Sequence, residues 1–532
     1  MNGAPQESKV VSEMERISSK SVAVIDVGTT SIRMAIAQIG GPGGIKIMEQ
    51  LDQAVNLGKD TFTLGAIQKT TAEECVQTLM SFKKVIREYQ IDEEKNIRAV
   101  ATSAVREASN RDAFLDRLYI ATNIEVEAVE EAEVPRLMYL TVASSLNSES
   151  KPLNSDYLIV EVGGGSTEIL LIQSGSVVFS HTYGLGSFRL RQMLESYGAP
   201  ISSRKEIMEN YIDRTVAQLR NEVSLKEPPD IIVLGGDVRF AANRLLSDWN
   251  PGKLARIRLS SVSRLTDKVL AMSVDDLVSQ YQLSYPAAES LGPALLTHLI
   301  LGRSLRVKEL LVSNLTLRDG LLEEMTENRE GKDMFREQTI RSAIELGRKF
   351  NFDEPHALHV ANLCTAIFQS LQGEHNLDQR YELILKVAAI LHEIGTFIDL
   401  KGQHKHSMYL IRNSYLFGIS PKDLILVALL ARYHRGATPR NTHEGYANLD
   451  RMSRIVVSKL AAILRVADAL DQSHNQRLKD LQCSRGNGCF EITALCASDL
   501  SLEQISLSQK GTLFDEVYGM EVRLRGAKVD AI

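Results

Sequence analysis

An internal repeat is the feature that most constrains the fold of this 532-residue chain. The segment VAVIDVGTTSIRMAIAQIG (22–40) aligns without gaps with YLIVEVGGGSTEILLIQSG (157–175), at an offset of 135 residues. Each copy has an apolar strand that ends near an acidic residue, Asp26 or Glu161, and then turns through small and hydroxyl residues into a second apolar strand. Two copies of a strand–turn–strand unit predict an α/β fold with two similar lobes and a cleft between them.

The surrounding pattern alternates strands and helices. Glycines at 40–44 mark a turn before a third strand, and apolar residues recur at helical spacing over 70–88. A strand over 97–102 is predicted to lead into a helix around 110–120, and IIVLGGD (231–237) has a further glycine turn after an apolar run. This alternation is typical of an α/β protein.

The two repeated turns have the composition of phosphate-binding loops. Backbone N–H groups in such a turn converge on anionic oxygens, and small side chains let the backbone approach closely. The candidate phosphate-binding residues in these turns are Thr29, Thr30, Ser31, Gly163, Gly164, Gly165, Ser166 and Thr167. The carboxylates of Asp26, Glu161 and Glu168 are candidate Mg²⁺ ligands, because hard cations prefer oxygen. One such turn is weak evidence, but two matched copies with matched acids favour phosphate chemistry.

Composition changes after Gly320, where amphipathic helix patterns begin to predominate. Eight of the eleven histidines fall between His356 and His443, and the C-terminal stretches CFEITALC and GMEVRLRG alternate like strands. The predicted parts are a mobile tail over 1–20, a first lobe over 21–141, a second lobe over 142–327, a helical domain over 328–480 and a small cap over 481–532.

Several motifs resemble the exopolyphosphatase/guanosine pentaphosphate phosphohydrolase family. They are DVGTTSIR (26–33), ATSAVREASN (101–110), EVGGGSTE (161–168), GLGSFRLR (184–191) and SNLTLRDGLL (313–322), and the histidine-rich region follows them. The resemblance extends from about Val22 to Leu470. It implies an α/β fold with two actin-like, ribonuclease H-like lobes flanking a cleft, followed by an all-α HD-like domain and a small α+β cap.

The resemblance implies a Mg²⁺-dependent exopolyphosphatase, which is a phosphoric anhydride hydrolase that releases terminal phosphate from inorganic polyphosphate. Hydrolysis of the 5′-phosphate of guanosine pentaphosphate is a second candidate activity. Arg106 and Arg189 are candidate clamps on phosphate oxygens. The resemblance also implies a homodimer. A sugar kinase or an actin-like ATPase is disfavoured, because adenosine recognition has no visible signature.

The chain departs from the family at the general base. The family carries a Gly-x-Glu-Glu-Ala-Arg stretch whose second Glu activates the attacking water, and Arg136 aligns with its Arg. This alignment puts Val134 at the position of the base, and valine cannot accept a proton. Glu133 and Glu131 are neighbouring carboxylates that can substitute if the turn is remodelled, and Glu168 is a third candidate. The alternative function is a polyphosphate- or nucleotide-binding regulator with impaired catalysis.

The helical region follows the order of an HD-type metal phosphohydrolase. Its candidate ligands are His359, His392, Glu393, His434 and Asp468. Glu393 replaces the Asp expected after His392, so metal binding and a structural or anion-contacting role for these histidines both stay open. An HD-domain nucleotide phosphohydrolase with an inert N-terminal half is therefore a third hypothesis.

Charge and hydropathy exclude some classes of protein. The net charge of −6 excludes a generally basic nucleic-acid binder. Between 401 and 440, however, seven basic residues stand against one acidic residue, which indicates either a solvated face or a track for polyphosphate.

No apolar run reaches the ~18 residues that span a bilayer, and no secretory signal is visible, so we expect no membrane association and a cytoplasmic location. Five cysteines without a C-x-x-C pair argue against a disulfide framework.

Overall fold

A computed structural model of the protein describes residues 19–41, 44–91, 94–148, 156–198, 200–223, 225, 227–326, 329–486, 488–495 and 499–527. The chain divides into two compact units. The first holds the residues up to Lys332 apart from 176–178, and the second holds 176–178 and the residues from Asp333 onward. The predicted tail over 1–20 lies outside the described residues except for its last two positions.

The first lobe is built on a five-stranded sheet with the order β3-β2-β1-β4-β5. Its strands are β1 (Lys20–Val27), β2 (Ser31–Gly41), β3 (Gly44–Ala54), β4 (Ile97–Ala101) and β5 (Val126–Ala128). The helices are α1 (Leu57–Leu64), α2 (Lys69–Glu88), α3 (Ser103–Arg106) and α4 (Arg111–Thr122), with a short 3₁₀ helix at Glu94–Asn96. β1 pairs antiparallel with β2 and parallel with β4, so the repeated hairpin lies in the middle of the sheet.

The second lobe repeats this arrangement in a six-stranded sheet. Its strands are β6 (Tyr157–Val162), β7 (Thr167–Gln173), β8 (Ser176–Tyr183), β9 (Asp230–Leu234), β10 (Ala255–Arg258) and β11 (Glu309–Val312). The order β10-β11-β9-β6-β7-β8 reproduces the first sheet and adds β10 at one edge. The helices of this part of the chain are α5 (Glu133–Ser148), α6 (Ser187–Ser196), α7 (Ile201–Glu222), α8 (Gly236–Leu245), α9 (Leu259–Leu270), α10 (Val274–Tyr281), α11 (Tyr285–Ser304) and α12 (Leu317–Met325).

The two hairpins share their register and the hydrogen bond that closes their turns. The amide of Gly28 donates to the carbonyl of Ser31 over 2.9 Å, and the amide of Gly163 donates to the carbonyl of Ser166 over 2.8 Å. Asp26 stands opposite Arg33 in the first hairpin, and Glu161 stands opposite Glu168 in the second. The sequence repeat is therefore a structural duplication.

The helix α12 joins the two lobes. It follows the last strand of the second sheet, yet it packs against α5 and against β1 and β2 of the first lobe. A Cβ added to Gly320 would lie 2.6 Å from the carbonyl oxygen of Leu137 on α5. Only glycine permits this close contact, and the contact brings the N-terminus of α12 to the cleft.

The second unit is a helical domain with a small sheet. Its helices are α13 (Arg329–Lys349), α14 (Glu354–Ser370), α15 (Gln372–His375), α16 (Arg380–Leu391), α17 (Gln403–Arg412), α18 (Pro421–Tyr433), α19 (Arg451–Leu470), α20 (Ser501–Lys510) and α21 (Thr512–Tyr518), with a 3₁₀ helix at Ile394–Phe397. The sheet has the order β12-β13-β14, from β12 (Lys479–Gly486), β13 (Cys489–Leu495) and β14 (Glu521–Ala527). One hydrophobic core runs from Ala343 through α19 to Leu524, so the C-terminal elements share the core of the helical domain.

Within the described ranges, no helix combines the length and the apolar composition that crossing a membrane requires.

Candidate active site

The two repeated turns meet in one cavity between the lobes. Thr29, Thr30, Ser31, Gly163, Gly164 and Ser166 line it. The hydroxyl oxygens of Thr29 and Ser103 lie 3.4 Å apart, and a Cβ added to Gly164 would lie 2.6 Å from Cγ2 of Thr29. The second turn therefore needs glycine at 164 because the first turn packs directly against it.

Three helices begin at the cavity wall. Val134 in the first turn of α5, Gly236 at the start of α8 and Leu317 at the start of α12 all line it. The first N–H groups of a helix carry a partial positive charge and favour anions. The first amides of α6 are not available to an anion, because they donate to the protein itself. The amides of Ser187 and Phe188 donate to the carbonyls of Gly163 and Gly164 and hold the second turn in place.

Four arginines also line the cavity, namely Arg33, Arg106, Arg239 and Arg318. Burial lowers the pKa of Arg239 and of Arg318, and repulsion from the Arg33 guanidinium lowers both further. Arg106 has a side chain that is only 9% exposed, and its Nε lacks a hydrogen-bond partner among the described residues. Guanidinium groups that repel one another in a partly buried space are stabilised by a bound anion such as phosphate.

The carboxylates of Asp26, Glu161, Glu168 and Asp237 share the cavity with these arginines. Burial, together with repulsion from Glu168 and Asp26, raises the pKa of Glu161 to about 8. Burial raises the pKa of Glu168 to about 7, although the Ser166 hydroxyl donates to its Oε1 over 2.5 Å and lowers the pKa in part. A carboxyl group whose pKa lies near 7 is suited to accept a proton at neutral pH.

The carboxylate of Asp26 has the surroundings expected for a ligand of a cation. Burial raises its pKa, and its Oδ1 is buried without a hydrogen-bond partner among the described residues. The donor set of Asp26, Glu161 and Glu168 consists of oxygen atoms, which suits Mg²⁺. Across the described chain, both sets of three metal-capable side chains whose ligand atoms lie within 4.8 Å of one another are in the helical domain. The ligand atoms of the three acids in the cleft therefore do not all lie within 4.8 Å of one another.

Val134 lies at the cavity wall and is 6% exposed. It occupies the first turn of α5, the position at which the sequence resemblance places the general base. Of the carboxylates predicted to replace that base, Glu168 lies in the cavity and Glu131 has a 60% exposed side chain, 4.0 Å from Arg106 Nη2.

Glu133, the other carboxylate predicted to replace the base, forms an ion pair in this structure. Its Oε1 accepts a hydrogen bond from Arg136 Nε over 2.8 Å, and Arg136 also binds Glu324 over 2.6 Å. This ion-pair network ties the start of α5 to α12. Glu133 is thus committed to holding the two helices together.

Three further predicted phosphate contacts are directed elsewhere. Arg189 donates through Nε to the carbonyl of Gly165 over 2.8 Å and through Nη2 to both carboxylate oxygens of Glu107 over 2.6 Å. Thr167 donates its hydroxyl to the carbonyl of Leu185, and Gly165 packs against Ser103. None of these three residues lines the cavity, and the hydrogen bonds of Arg189 and Thr167 stabilise the structure around the second turn.

Sequence reasoning missed Arg33, Arg239, Arg318 and Asp237. A signal existed for each of them. Arg33 and Arg318 fall inside motifs that carry the family resemblance, and Asp237 and Arg239 follow the glycine turn after β9. Arg33 also takes the place of Glu168 under the 135-residue offset, so the repeat itself predicts that it faces the cleft.

In the helical domain, His356 lies in the cluster of metal-capable side chains, whereas the sequence predicted His359. His356, His392 and Asp468 form a buried group of metal-capable side chains, and His356, Glu393 and His474 form another. His434 is close to this group, with its ring centroid 5.0 Å from that of His392. His359 belongs to neither group, although it lies only three residues after His356 on α14.

The fold and the cavity define a protein with two actin-like lobes and a cleft lined by arginines and carboxylates, followed by a helical domain. Residues 14–329 match the Ppx/GppA phosphatase family, and residues 336–510 match domain III of Ppx/GppA phosphatases. The chain belongs to the Ppx/GppA phosphatase family, and this confirms the predicted family and the predicted class of fold.

Individual relatives agree with this assignment. The chain is 24% identical over 476 residues to "Guanosine-5'-triphosphate,3'-diphosphate pyrophosphatase" of Photobacterium profundum. The aligned region covers 86% of this chain and 88% of the relative. The crystal structure of an exopolyphosphatase from Cytophaga hutchinsonii matches with a TM-score of 0.52 at 21% identity, over 57% of this chain and 97% of that one. An Aquifex aeolicus member of the Ppx/GppA family matches with a TM-score of 0.47 at 24% identity, over 57% of this chain and 97% of that one. The Cytophaga structure shows that the fold is shared.

Proposed function

We propose that this protein is an exopolyphosphatase that hydrolyses the terminal phosphoanhydride of inorganic polyphosphate, with the 5′-phosphate of guanosine pentaphosphate as a second substrate. One observation carries the proposal. A single cavity combines two glycine-rich turns, three helix N-termini, four arginines and a carboxyl group, Glu168, whose pKa is raised to about 7. The first three features suit a polyanionic phosphate, and the last suits the activation of water.

Glu168 is the proposed general base. Its carboxylate takes a proton from the attacking water as the water oxygen bonds to the terminal phosphorus. The phosphorus–oxygen bond to the rest of the chain breaks, and the leaving oxygen keeps the bonding electron pair. Arg106, Arg239 and Arg318 offset the negative charge that spreads over the phosphoryl oxygens. The products are inorganic phosphate and a substrate shortened by one phosphate.

Asp26 and Glu161 are the proposed holders of Mg²⁺, with Glu168 nearby. The bound ion would neutralise phosphate charge. It would also relieve the repulsion that raises the pKa of Glu161. Glu168 can serve as a base through the oxygen that the Ser166 hydroxyl leaves unoccupied.

A binding protein with impaired catalysis is the second candidate function, and Val134 favours it. The side chain at this position faces the cavity but holds no proton acceptor. Under this hypothesis the arginines and turns still bind polyphosphate or a nucleotide, and phosphate release is slow because water is not activated.

A phosphate-release assay with polyphosphate, guanosine pentaphosphate and ATP, each with and without Mg²⁺, separates the two functions. We expect Mg²⁺-dependent release from polyphosphate, reduced by about 10²–10⁴-fold in Glu168→Gln because a positioned base contributes this much. Glu131→Ala is the matched control and should retain most of the activity, since this side chain is largely exposed. Tight polyphosphate binding, with release no faster than in Glu168→Gln, would support the binding function instead.

We further propose that the basic run at 401–440 binds polyphosphate. Lys401, Lys405 and Arg435 are exposed, and the charges of Arg435 and Lys405 help to lower the pKa of His404 after burial. Replacing the three exposed basic residues by Gln should weaken polyphosphate binding and flatten its dependence on salt, because fewer counterions are released. An unchanged salt dependence would indicate a solvated face.

The homodimer and the cytoplasmic location remain part of this proposal. Sedimentation equilibrium of the full chain at micromolar concentration tests the first, with a dimer expected at twice the mass of one chain. Fractionation of cells that produce the protein tests the second.

A further inference from the structure

The helical domain contains a buried cluster of imidazole and carboxylate groups that the proposed hydrolysis does not use. We propose that it binds one divalent transition-metal ion of the zinc class, through Nε2 of His356, Nε2 of His392 and Oδ1 of Asp468. The three side chains come from α14, the end of α16 and α19, and they are between 0% and 3% exposed.

The distances are close to those of a metal site. Oδ1 of Asp468 lies 3.8 Å from Nε2 of His356 and 3.7 Å from Nε2 of His392. Ligand atoms about 2.0–2.1 Å from a tetrahedral metal are roughly 3.3–3.4 Å apart, so the two distances to Asp468 need to shorten by about 0.5 Å. The two histidine nitrogens lie within 4.8 Å of each other, so all three atoms can converge on one ion after a small shift.

The nitrogen atoms proposed as ligands are free of hydrogen bonds in the part of the chain that the structure describes. Nε2 of His356, His392 and His434 are all buried without a hydrogen bond among the described residues. Leaving a buried polar atom unpaired costs free energy, and three such atoms in one cluster indicate a missing partner. An ion bound by lone pairs supplies that partner for His356 and His392, and the imidazole of His434 is the nearest candidate for a fourth ligand.

The outer contacts of the cluster match those of metal-binding histidines. Nδ1 of His356 lies 2.8 Å from Oδ2 of the buried Asp471. Nδ1 of His392 lies 2.7 Å from the carbonyl oxygen of Ala389, and Nδ1 of His434 lies 2.6 Å from that of Ala431. Hydrogen bonds of this kind place the proton on Nδ1 and leave the lone pair of Nε2 for a metal.

The two oxygen atoms of the Asp468 carboxylate have different neighbours. Nζ of Lys510 lies 2.6 Å from Oδ2 of Asp468, and this leaves Oδ1 on the side of the histidines. Because Lys510 ends α20, the contact links the cluster to the C-terminal elements of the same domain. Two imidazoles and one carboxylate favour zinc, iron or cobalt over Mg²⁺, which prefers a shell of oxygen.

The test uses the full chain, stripped with a chelator and then dialysed against Zn²⁺ or, in parallel, Co²⁺. We expect about one equivalent of Zn²⁺ per chain by elemental analysis and visible absorption from Co²⁺ that reports its coordination. His392→Ala should lose the stoichiometric metal. Asp471→Asn should bind about 10–100-fold more weakly, as is typical when the hydrogen bond behind a metal-binding histidine is removed.

His359→Ala is the matched control, because it lies on the same helix as His356 but outside the cluster. It should bind Zn²⁺ as the unmodified chain does. If His392→Ala fails to fold by circular dichroism, the comparison of Asp471→Asn with His359→Ala decides. Wild-type protein that binds no Zn²⁺, or equal losses in Asp471→Asn and His359→Ala, would overturn the proposal.

Discussion

Glu161 should make the stability of the metal-free protein depend on pH, and Glu161→Gln should remove the part of the dependence that this carboxyl group contributes. The pKa of Glu161 is raised from 4.5 to about 8 by burial and by the neighbouring Glu168 and Asp26. A carboxyl group with a raised pKa is protonated in the folded state and ionised in the unfolded chain at neutral pH. Its contribution to stability is therefore complete below pH 4.5 and is lost as the pH rises to about 8.

The expected loss follows from the size of the shift. Between pH 4.5 and pH 7 the free energy of unfolding should fall by about 3 kcal/mol, because one unit of pKa corresponds to about 1.4 kcal/mol. In a protein of this size the corresponding fall in Tm is on the order of 5 °C. The amide of Glu161→Gln does not ionise, so this part of the pH dependence should disappear.

Calorimetric melting between pH 5 and pH 8 in a chelator measures this difference. Glu206→Gln on the exposed face of α7 is the control, and it should follow the unmodified protein. Mg²⁺ should raise the Tm of the unmodified protein more at the higher pH, where Glu161 is ionised and binds a cation. Parallel curves for Glu161→Gln and the unmodified protein across the whole range would refute the reasoning.

Three further predictions concern catalysis and binding. The rate of phosphate release should rise as the pH passes about 7, because Glu168 accepts a proton only when ionised, and Glu168→Gln should show a flat profile in the same assay. Val134→Glu should raise kcat by about tenfold or more if the remaining site is intact, because even a partly effective base contributes this much. An unchanged kcat would show that Glu168 already suffices or that another group is missing. Arg318→Met should raise KM by roughly 10–100-fold through the loss of a charged hydrogen bond to phosphate, whereas Arg189→Met, which breaks the contact with Glu107, should lower the Tm and leave KM nearly unchanged.

Much of the fold was predictable because its signals are local. The repeat specifies two equivalent hairpins, and their pairing and turn hydrogen bonds depend on residues less than twenty positions apart. The helix over 70–88 and the strands near 489–496 and 519–526 also agree with the structure to within a few residues. Periodicity of apolar residues is sufficient for such elements, since each buries one face against its neighbours.

The sequence prediction places a boundary between the lobes and the helical domain at 327, and the two compact units of the structure divide between Lys332 and Asp333. The position of α12 was not visible, because its packing against α5 depends on the close approach at Gly320 and not on its own sequence pattern.

The sequence by itself determined the repeat, its two turns of small and hydroxyl residues and the family of this protein, because these reside in contiguous motifs. Only the tertiary structure decided which charged groups share the cleft. It brought Arg239 and Arg318 to the turns, turned Arg189 towards Glu107, and chose His356 over His359 for the buried cluster. Such choices depend on the direction of a side chain relative to elements distant in the chain, and packing sets that direction after the local structure has formed.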